Sequence, residues 1–202
     1  SEMCIRDRGK GDSLAHALQD LAVVVGARWN QLVGHLVGSL EVTADRAEEA
    51  LRALEIEYNR LFVGPGSPQA PPYESFYRHP HGLLTGPATQ DVERRYAEAG
   101  LAIAPGHRDL PDHVATELGF MAYLALQEAG AQRDDVAIWL DRERAFLQQH
   151  LLVWLPAFCR RVQEMSRHPF YAALAELTSA FVGQDAQWVE DALREQTQAV
   201  SA

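Results

Sequence analysis

Cysteine is nearly absent from this chain: Cys4 and Cys159 are the two in 202 residues. That excludes a disulfide framework and a zinc site built from cysteines alone, and it suits a reducing compartment. Long apolar runs are missing too. None approaches the roughly 18 to 20 residues that cross a bilayer, and the start shows no basic, apolar, small-residue secretory signal. The expectation is a soluble, cytoplasmic protein with no integral membrane segment. Positive charge is scarce: 18 Lys and Arg stand against 28 Asp and Glu, a formal net charge of −10, and no basic block exceeds the Arg160-Arg161 pair. No nucleic acid is expected as a partner, and a cationic partner is favoured. Sustained alternation of apolar and polar residues, the mark of a half-buried strand, does not occur.

What the chain has is helical periodicity. At 47% hydrophobic it can bury a sizeable core, and the expectation is one all-α, bundle-like globular domain of about seven to nine helices with one long ordered loop. Leu14, Leu18, Leu21 and Val25 begin an apolar stripe that Leu32, Leu36 and Leu40 resume after Gly26. Thr43 is placed to cap a helix whose Leu51, Leu54, Tyr58 and Leu61 read as core. Pro87 suits a first helical turn, and Gly100 suits the end of the helix holding Val92 and Tyr96. Asp109 could cap a helix over about 111 to 129 that is apolar around most of its circumference, with Gly130 as its stop. Along 135 to 165, Leu147, His150, Trp154 and Phe158 share a face, and Pro156 predicts a kink. Cys159 reads as a small buried hydrophobe. Pro169 opens a helix to about Val182, with Trp188 and Leu193 on a short final one.

Residues 1–9 stand apart. Glu2 to Arg8, EMCIRDR, is what GAG-ATG-TGT-ATA-AGA-GAC-AGR would encode, and that resembles a transposon mosaic end used in sequencing libraries. This segment reads as adapter-derived and non-native, which leaves 10–202 as the single helical domain.

Catalytic chemistry has no positive signature. His113 and Glu117, at i and i+4, could offer two metal ligands from one helix face, with His150 as a third in a helical metal-dependent hydrolase. The alternative is an imidazole and a carboxylate satisfying buried hydrogen bonds. His79-Pro80-His81 has a metal-pair spacing common by chance. Gly64-Pro65-Gly66 lacks the following Lys-Ser/Thr and the strand of a phosphate loop, so it reads as a sharp helix exit. No Ser/His/Asp set is defensible, although Ser75 and His113 could meet in space.

The run Glu57 to Arg78, EYNRLFVGPGSPQAPPYESFYR, carries more. Long connections inside compact domains are either functional or disordered, and Tyr73, Phe76 and Tyr77 give this one apolar area to bury. Prolines reduce its ordering entropy, the aromatics offer contact area with few rotatable bonds, and Glu74 can address a cation. A purely structural Ω-like loop is the competing reading.

The helix-borne EYxxLF, the GPG, the PPYESxY, then PDHxxxELxFM (Pro111 to Met121) and HLxxWLPxF (His150 to Phe158) together resemble the TorD/DmsD family of redox-enzyme maturation chaperones, related to the nitrate reductase delta-subunit chaperones. The resemblance covers the chain from about residue 45 onward. It implies an all-helical cytoplasmic chaperone, not an enzyme, with no cofactor or metal of its own. Its implied partner is the precursor of a molybdopterin oxidoreductase, bound through its twin-arginine signal peptide, its folded body, or both, so that export waits for cofactor insertion. Carried over position by position, Pro72, Tyr73, Glu74, Ser75, Phe76, Tyr77, Asp112 and His113 form the peptide-binding set. In this reading Asp112 and Glu74 face arginine, while Tyr73, Phe76 and Tyr77 line an apolar groove. Glu57, Tyr58, Gly64 and Pro65 shape the loop. Some members carry Trp-Gly where this chain has Tyr73-Glu74. Hinge loops would permit exchange of helices between protomers, a route to a homodimer.

Overall fold

The computed structural model describes residues 27–40, 44–79, 81–82 and 84–201. The stripe from Leu14 to Val25, the Thr43 cap, Pro80 and the adapter-like segment lie outside them. Apart from an isolated antiparallel bridge, the described residues contain no strand, so the all-α expectation holds. The helices are α1 (Ala27–Gly38), α2 (Ala47–Tyr58), α3 (Glu74–Arg78), α4 (Pro87–Glu98), α5 (Val114–Gly130), α6 (Val136–Phe146), α7 (Leu152–Met165) and α8 (Pro169–Ser201). Five-residue π-turns extend α2 over Asn59–Val63 and join α6 to α7 over Leu147–Leu151.

The chain forms two compact units, one from Glu2–Pro71 with Phe158–Ser179, the other from Pro72–Ala157 with Ala180–Ala202. In the former, Leu32, Leu36, Leu61, Cys159 and Val162 are buried. The ring of Phe62 meets those of Phe158 and Tyr171 at 6.1 and 5.8 Å. Burial pushes the Cys159 thiol up to about 12, as befits an inert core residue. The expected core stripe on α2 is corrected here: Leu61 is fully buried, but Leu51 and Tyr58 are 58% and 47% exposed. The inward face is led by Glu57 and Leu61, and the π-turn rotates Leu61 off the line that Leu51, Leu54 and Tyr58 follow.

In the other unit, Phe120 of α5 packs on Tyr96 of α4 and Phe146 of α6 at 4.7 and 4.8 Å. Val92, Leu124, Leu151 and Trp154 complete this core without exposure. Helix α4 starts on Pro87, and Gly100 at φ 80° follows its C-cap. Gly100 and Leu101 donate their N–H groups back to Ala97 and Tyr96 carbonyls at 2.9 Å each, the paired bonds of a Schellman end. The departure from α geometry expected at Pro156 sits just upstream, in the π-turn that carries His150. One expectation fails at the C-terminus. Gly183 does not divide the last segment, which is one helix of 33 residues. A mid-helix glycine costs about 1 kcal/mol, and buried Val182 and Val189 on either side hold the helix across it.

Candidate functional site

Pro72 lacks an N–H, but its carbonyl accepts from Val114 N at 2.9 Å, and Tyr73 forms the isolated bridge with His113. The next backbone bond runs from Glu74 N to Asp112 O at 3.0 Å. This short ladder ties the proline-aromatic connector to the start of α5. The carboxylate of Asp112 then accepts from Ser75 N at 2.8 Å, capping α3 from a distant part of the chain. A negative group at that end satisfies one of the helix's orphan donors and suits its dipole. α5 is capped by His113, whose Nδ1 accepts from Ala115 N at 3.1 Å. The cap expected from Asp109 is therefore corrected. Asp109 stays outside the helix, exposed, and accepts from the Tyr73 hydroxyl at 3.3 Å. Burial holds the His113 imidazole below its ordinary value, against the pull of Asp109 and Asp112, so the ring keeps the neutral form that capping requires.

Beneath this ladder lies a buried polar frame. The carboxylate of Glu74 accepts from Arg78 Nη1 at 2.6 Å, and one of its oxygens lies 2.9 Å from His150 Nδ1. The far nitrogen of His150 lies 3.2 Å from Asp91 of α4, so the ring is flanked by carboxylates on both sides. Trp154 donates its indole N–H to Glu117 at 2.9 Å. Burial raises the Glu117 carboxyl well above the usual range, and the neighbouring Glu74 carboxylate pushes the same way. Both effects favour the protonated acid beside the Glu74 carboxylate.

The expected receiving carboxylates face the wrong way. Glu74 and Asp112 have no exposed surface: Glu74 serves Arg78 and His150, and one Asp112 oxygen accepts from Ser75 N while the other meets no donor among the described residues. Pro72 and Ser75 are buried with them. Tyr73, Phe76, Tyr77 and His113 are half-buried. The Tyr73 and His113 rings meet edge to face at 5.1 Å, while Tyr77 packs inward on Trp154 at 5.6 Å. Phe76 lies so close beneath Gly82 that a Cβ there would come within 2.7 Å of its ring. Asp109 is the exposed acid of this surface, and its value as such was hidden by its resemblance to a helix cap. In the same unit, Phe120, Phe146 and Ala145 floor a cavity of 210 Å³ with Arg95, Glu98, Asp141 and Arg142 around it.

The loop-shaping set belongs to the other unit. Glu57 takes two bonds from Arg60 at 2.8 Å each and one from Arg167 N at 2.6 Å. Arg60 is the main reason that its carboxyl falls to about 2. Gly64, at φ 119°, ends the π-turn, and a Cβ on it would approach Gly66 O to 2.9 Å. Pro65 fixes the exit that follows, and Tyr58 packs edge to face on Phe62 at 5.3 Å.

Residues 18–160 match the family model described as nitrate reductase delta subunit. A TorD chaperone of Vibrio cholerae serotype O1 (strain M66-2) is 31% identical over 82% of this chain and 75% of its own length. Its counterpart in the El Tor Inaba strain is 32% identical over the same shares. This chain belongs to the TorD chaperone family. A crystal structure from Archaeoglobus fulgidus, of a protein proposed to act in redox enzyme maturation, matches its fold with a TM-score of 0.50. That match has 20% identity and covers 90% of this chain and 99% of the other. TorD chaperones are not enzymes, and the hydrolase alternative also loses its ligand set. His113, Glu117 and His150 each serve a different internal partner, and among the described residues no His, Cys, Asp and Glu group is arranged to hold a metal. Nor is any described helix long and apolar enough to cross a membrane.

Proposed function

We propose that this TorD-family chain works in the cytoplasm on the precursor of a molybdopterin oxidoreductase. It binds the twin-arginine leader, the folded body, or both, and delays export until the cofactor is in place. The observation that carries this reading is the bridge between Tyr73 and His113. It joins two motifs far apart in sequence into one surface whose half-buried rings rest on a fixed polar frame. Pro72, Glu74, Ser75 and Asp112 build that frame; Tyr73, Phe76 and His113 offer the contact area, and Tyr77 supports it from within. Rings fixed before binding lose little entropy when a peptide arrives. Exposed Asp109 beside them supplies a carboxylate for a guanidinium, in the place first assigned to Glu74 and Asp112. The cavity floored by Phe120 and Phe146 suits an apolar side chain of the same client.

Titration with a fluorescent twin-arginine peptide tests this. Tyr73→Ala and His113→Ala should each weaken binding by about 1 to 3 kcal/mol, and Asp109→Asn by about 1. A peptide with both arginines changed to glutamine serves as the control. Wild-type affinity in all three variants would remove this surface from consideration.

A further inference from the structure

The 210 Å³ cavity lies within one unit of the chain, between Arg95 and Glu98 of α4, Phe120 of α5 and the last two turns of α6. Its floor is aromatic: Phe120 and Phe146 are 3% and 1% exposed and meet edge to face at 4.8 Å. Ala145 beside them contributes a methyl group alone, where a longer side chain would fill the space. The charges at the rim are not equivalent. Asp141 is answered by Arg144 at 2.7 Å, and Glu98 accepts from Arg94 at 3.0 Å and from Arg95 at 3.4 Å. Arg142, half-buried, has no carboxylate partner among the described residues, and its guanidinium lies over the Trp139 ring at 4.5 Å. A ring steadies the cation but offers its N–H groups no oxygen. On the α4 wall, Arg95 reaches Gln149 Oε1, while its Nε has no acceptor among the described residues. The acids of this rim are satisfied, and the arginines are not.

We propose that this cavity binds a small aromatic carboxylate, with its ring on Phe120 and Phe146 and its acid group taken by Arg142. An apolar cavity of about 150 Å³ admits benzene, so 210 Å³ takes a ring with a short acidic arm. A third ring extends the edge-to-face pair already in the floor. Carboxylate and guanidinium match in plane, two oxygens against two N–H groups, which is the geometry that Arg142 leaves open. A cationic ligand would meet two arginines whose charge is incompletely answered. A phosphate ester carries more negative charge past Glu98 and Asp141, and the formal charge of −10 opposes it more strongly than a single carboxylate. An uncharged ring would cover the floor but leave Arg142 without an acceptor. The proposal stands on the cavity alone and not on the client reading; where a client side chain also reaches this floor, the acid and the client exclude each other.

The test titrates the isotopically labelled full chain with hydrocinnamate near neutral pH and follows the Ala145 methyl and the Phe120 and Phe146 rings by NMR. Saturable shifts are expected there, with magnetisation passing between the ligand ring and both protein rings. Hydrocinnamamide has the shape without the charge, and acetate has the charge without the ring. Each should bind at least about tenfold more weakly. Ligand-observed titrations then compare variants: Arg142→Gln removes the cation and Ala145→Leu fills the floor, and each should lose at least about tenfold in affinity. Circular dichroism verifies that both are folded, and Arg142→Gln, at the rim, decides the matter if Ala145→Leu is not. Tyr73→Ala should bind hydrocinnamate as the wild type does, which separates this outcome from that of leader binding. No saturable shift at the three residues, equal binding of the amide or of acetate, or wild-type affinity in Arg142→Gln overturns the proposal.

Discussion

Glu57 and Glu143 are two glutamates almost equally hidden, at 6% and 4% exposure, one in each unit of the chain. Their surroundings are opposite. Glu57 is met by the Arg60 guanidinium, the Arg167 N–H and, at 3.5 Å, the Ser166 hydroxyl, and its carboxyl drops to about 2. Glu143 feels the acids Glu128 and Asp185, has no donor on Oε1 among the described residues, and has a carboxyl raised to about 7. Burial alone does not decide what a carboxylate does; the donors that surround it do. Where the chain supplies them, the acid is a clamp. Where it does not, the acid is pushed toward its protonated form.

Breaking the clamp should give the largest effect. Glu57→Ala leaves Arg60, itself mostly buried, and the Arg167 N–H unanswered, and should cost about 3 kcal/mol in urea unfolding at pH 7. Because the folded carboxyl lies below its unfolded value, that stabilisation is complete above about 4.5 and drains away as the pH falls toward about 2. Wild type and variant should therefore converge in acid. Glu143→Gln should act in the reverse sense. A carboxyl raised from 4.5 to about 7 makes the folded state lose stability as the pH climbs through that window, by up to about 3 kcal/mol. The glutamine variant should be the more stable protein at pH 8, with the advantage gone near pH 4.5. A wild type that is no less stable than Glu143→Gln at pH 8 would mean that the folded state does not raise this carboxyl.

How much of this contrast the chain announces differs between the two. Glu57 and Arg60 stand three apart in the EYNR motif, a spacing that pairs them on any helix. The rest of the clamp, Arg167 and Ser166, comes from more than a hundred positions away and leaves no local sign. Glu143 carries no local sign at all, since periodicity says nothing of which charges fail to find partners. The helical class, the start of α4 on Pro87 and its Gly100 end were all legible, because each depends on near neighbours. The α2 stripe was misread because a π-turn inserts one residue, and α8 because its pattern was divided after about Val182, where the helix in fact continues. At the candidate site, the chain named the two segments that meet but not which way their acids point. Glu74 and Asp112 were set to face arginine by the resemblance, which says nothing of burial, and the structure places both inside, beside the Tyr73–His113 bridge.

Asp112 lies between the two extremes, and it can be moved toward either. One of its oxygens accepts from Ser75 N, as the acid of a clamp does; the other is buried without a donor, as in Glu143. Asp112→Ala removes the α3 cap and should cost about 2 kcal/mol, so its effect on peptide binding would report the fold rather than a contact. Asp112→Asn keeps an acceptor for Ser75 and puts a neutral amide where the unanswered oxygen was, next to the Glu117 and Glu74 cluster. It should cost less than about 1 kcal/mol in thermal unfolding and leave the affinity for a twin-arginine peptide close to that of the wild type. If instead the asparagine variant folds normally but loses binding about tenfold or more, then the unanswered oxygen is itself reached by the client. Asp112 would then be a contact to the client as well as a cap, unlike Glu57, whose partners are all internal.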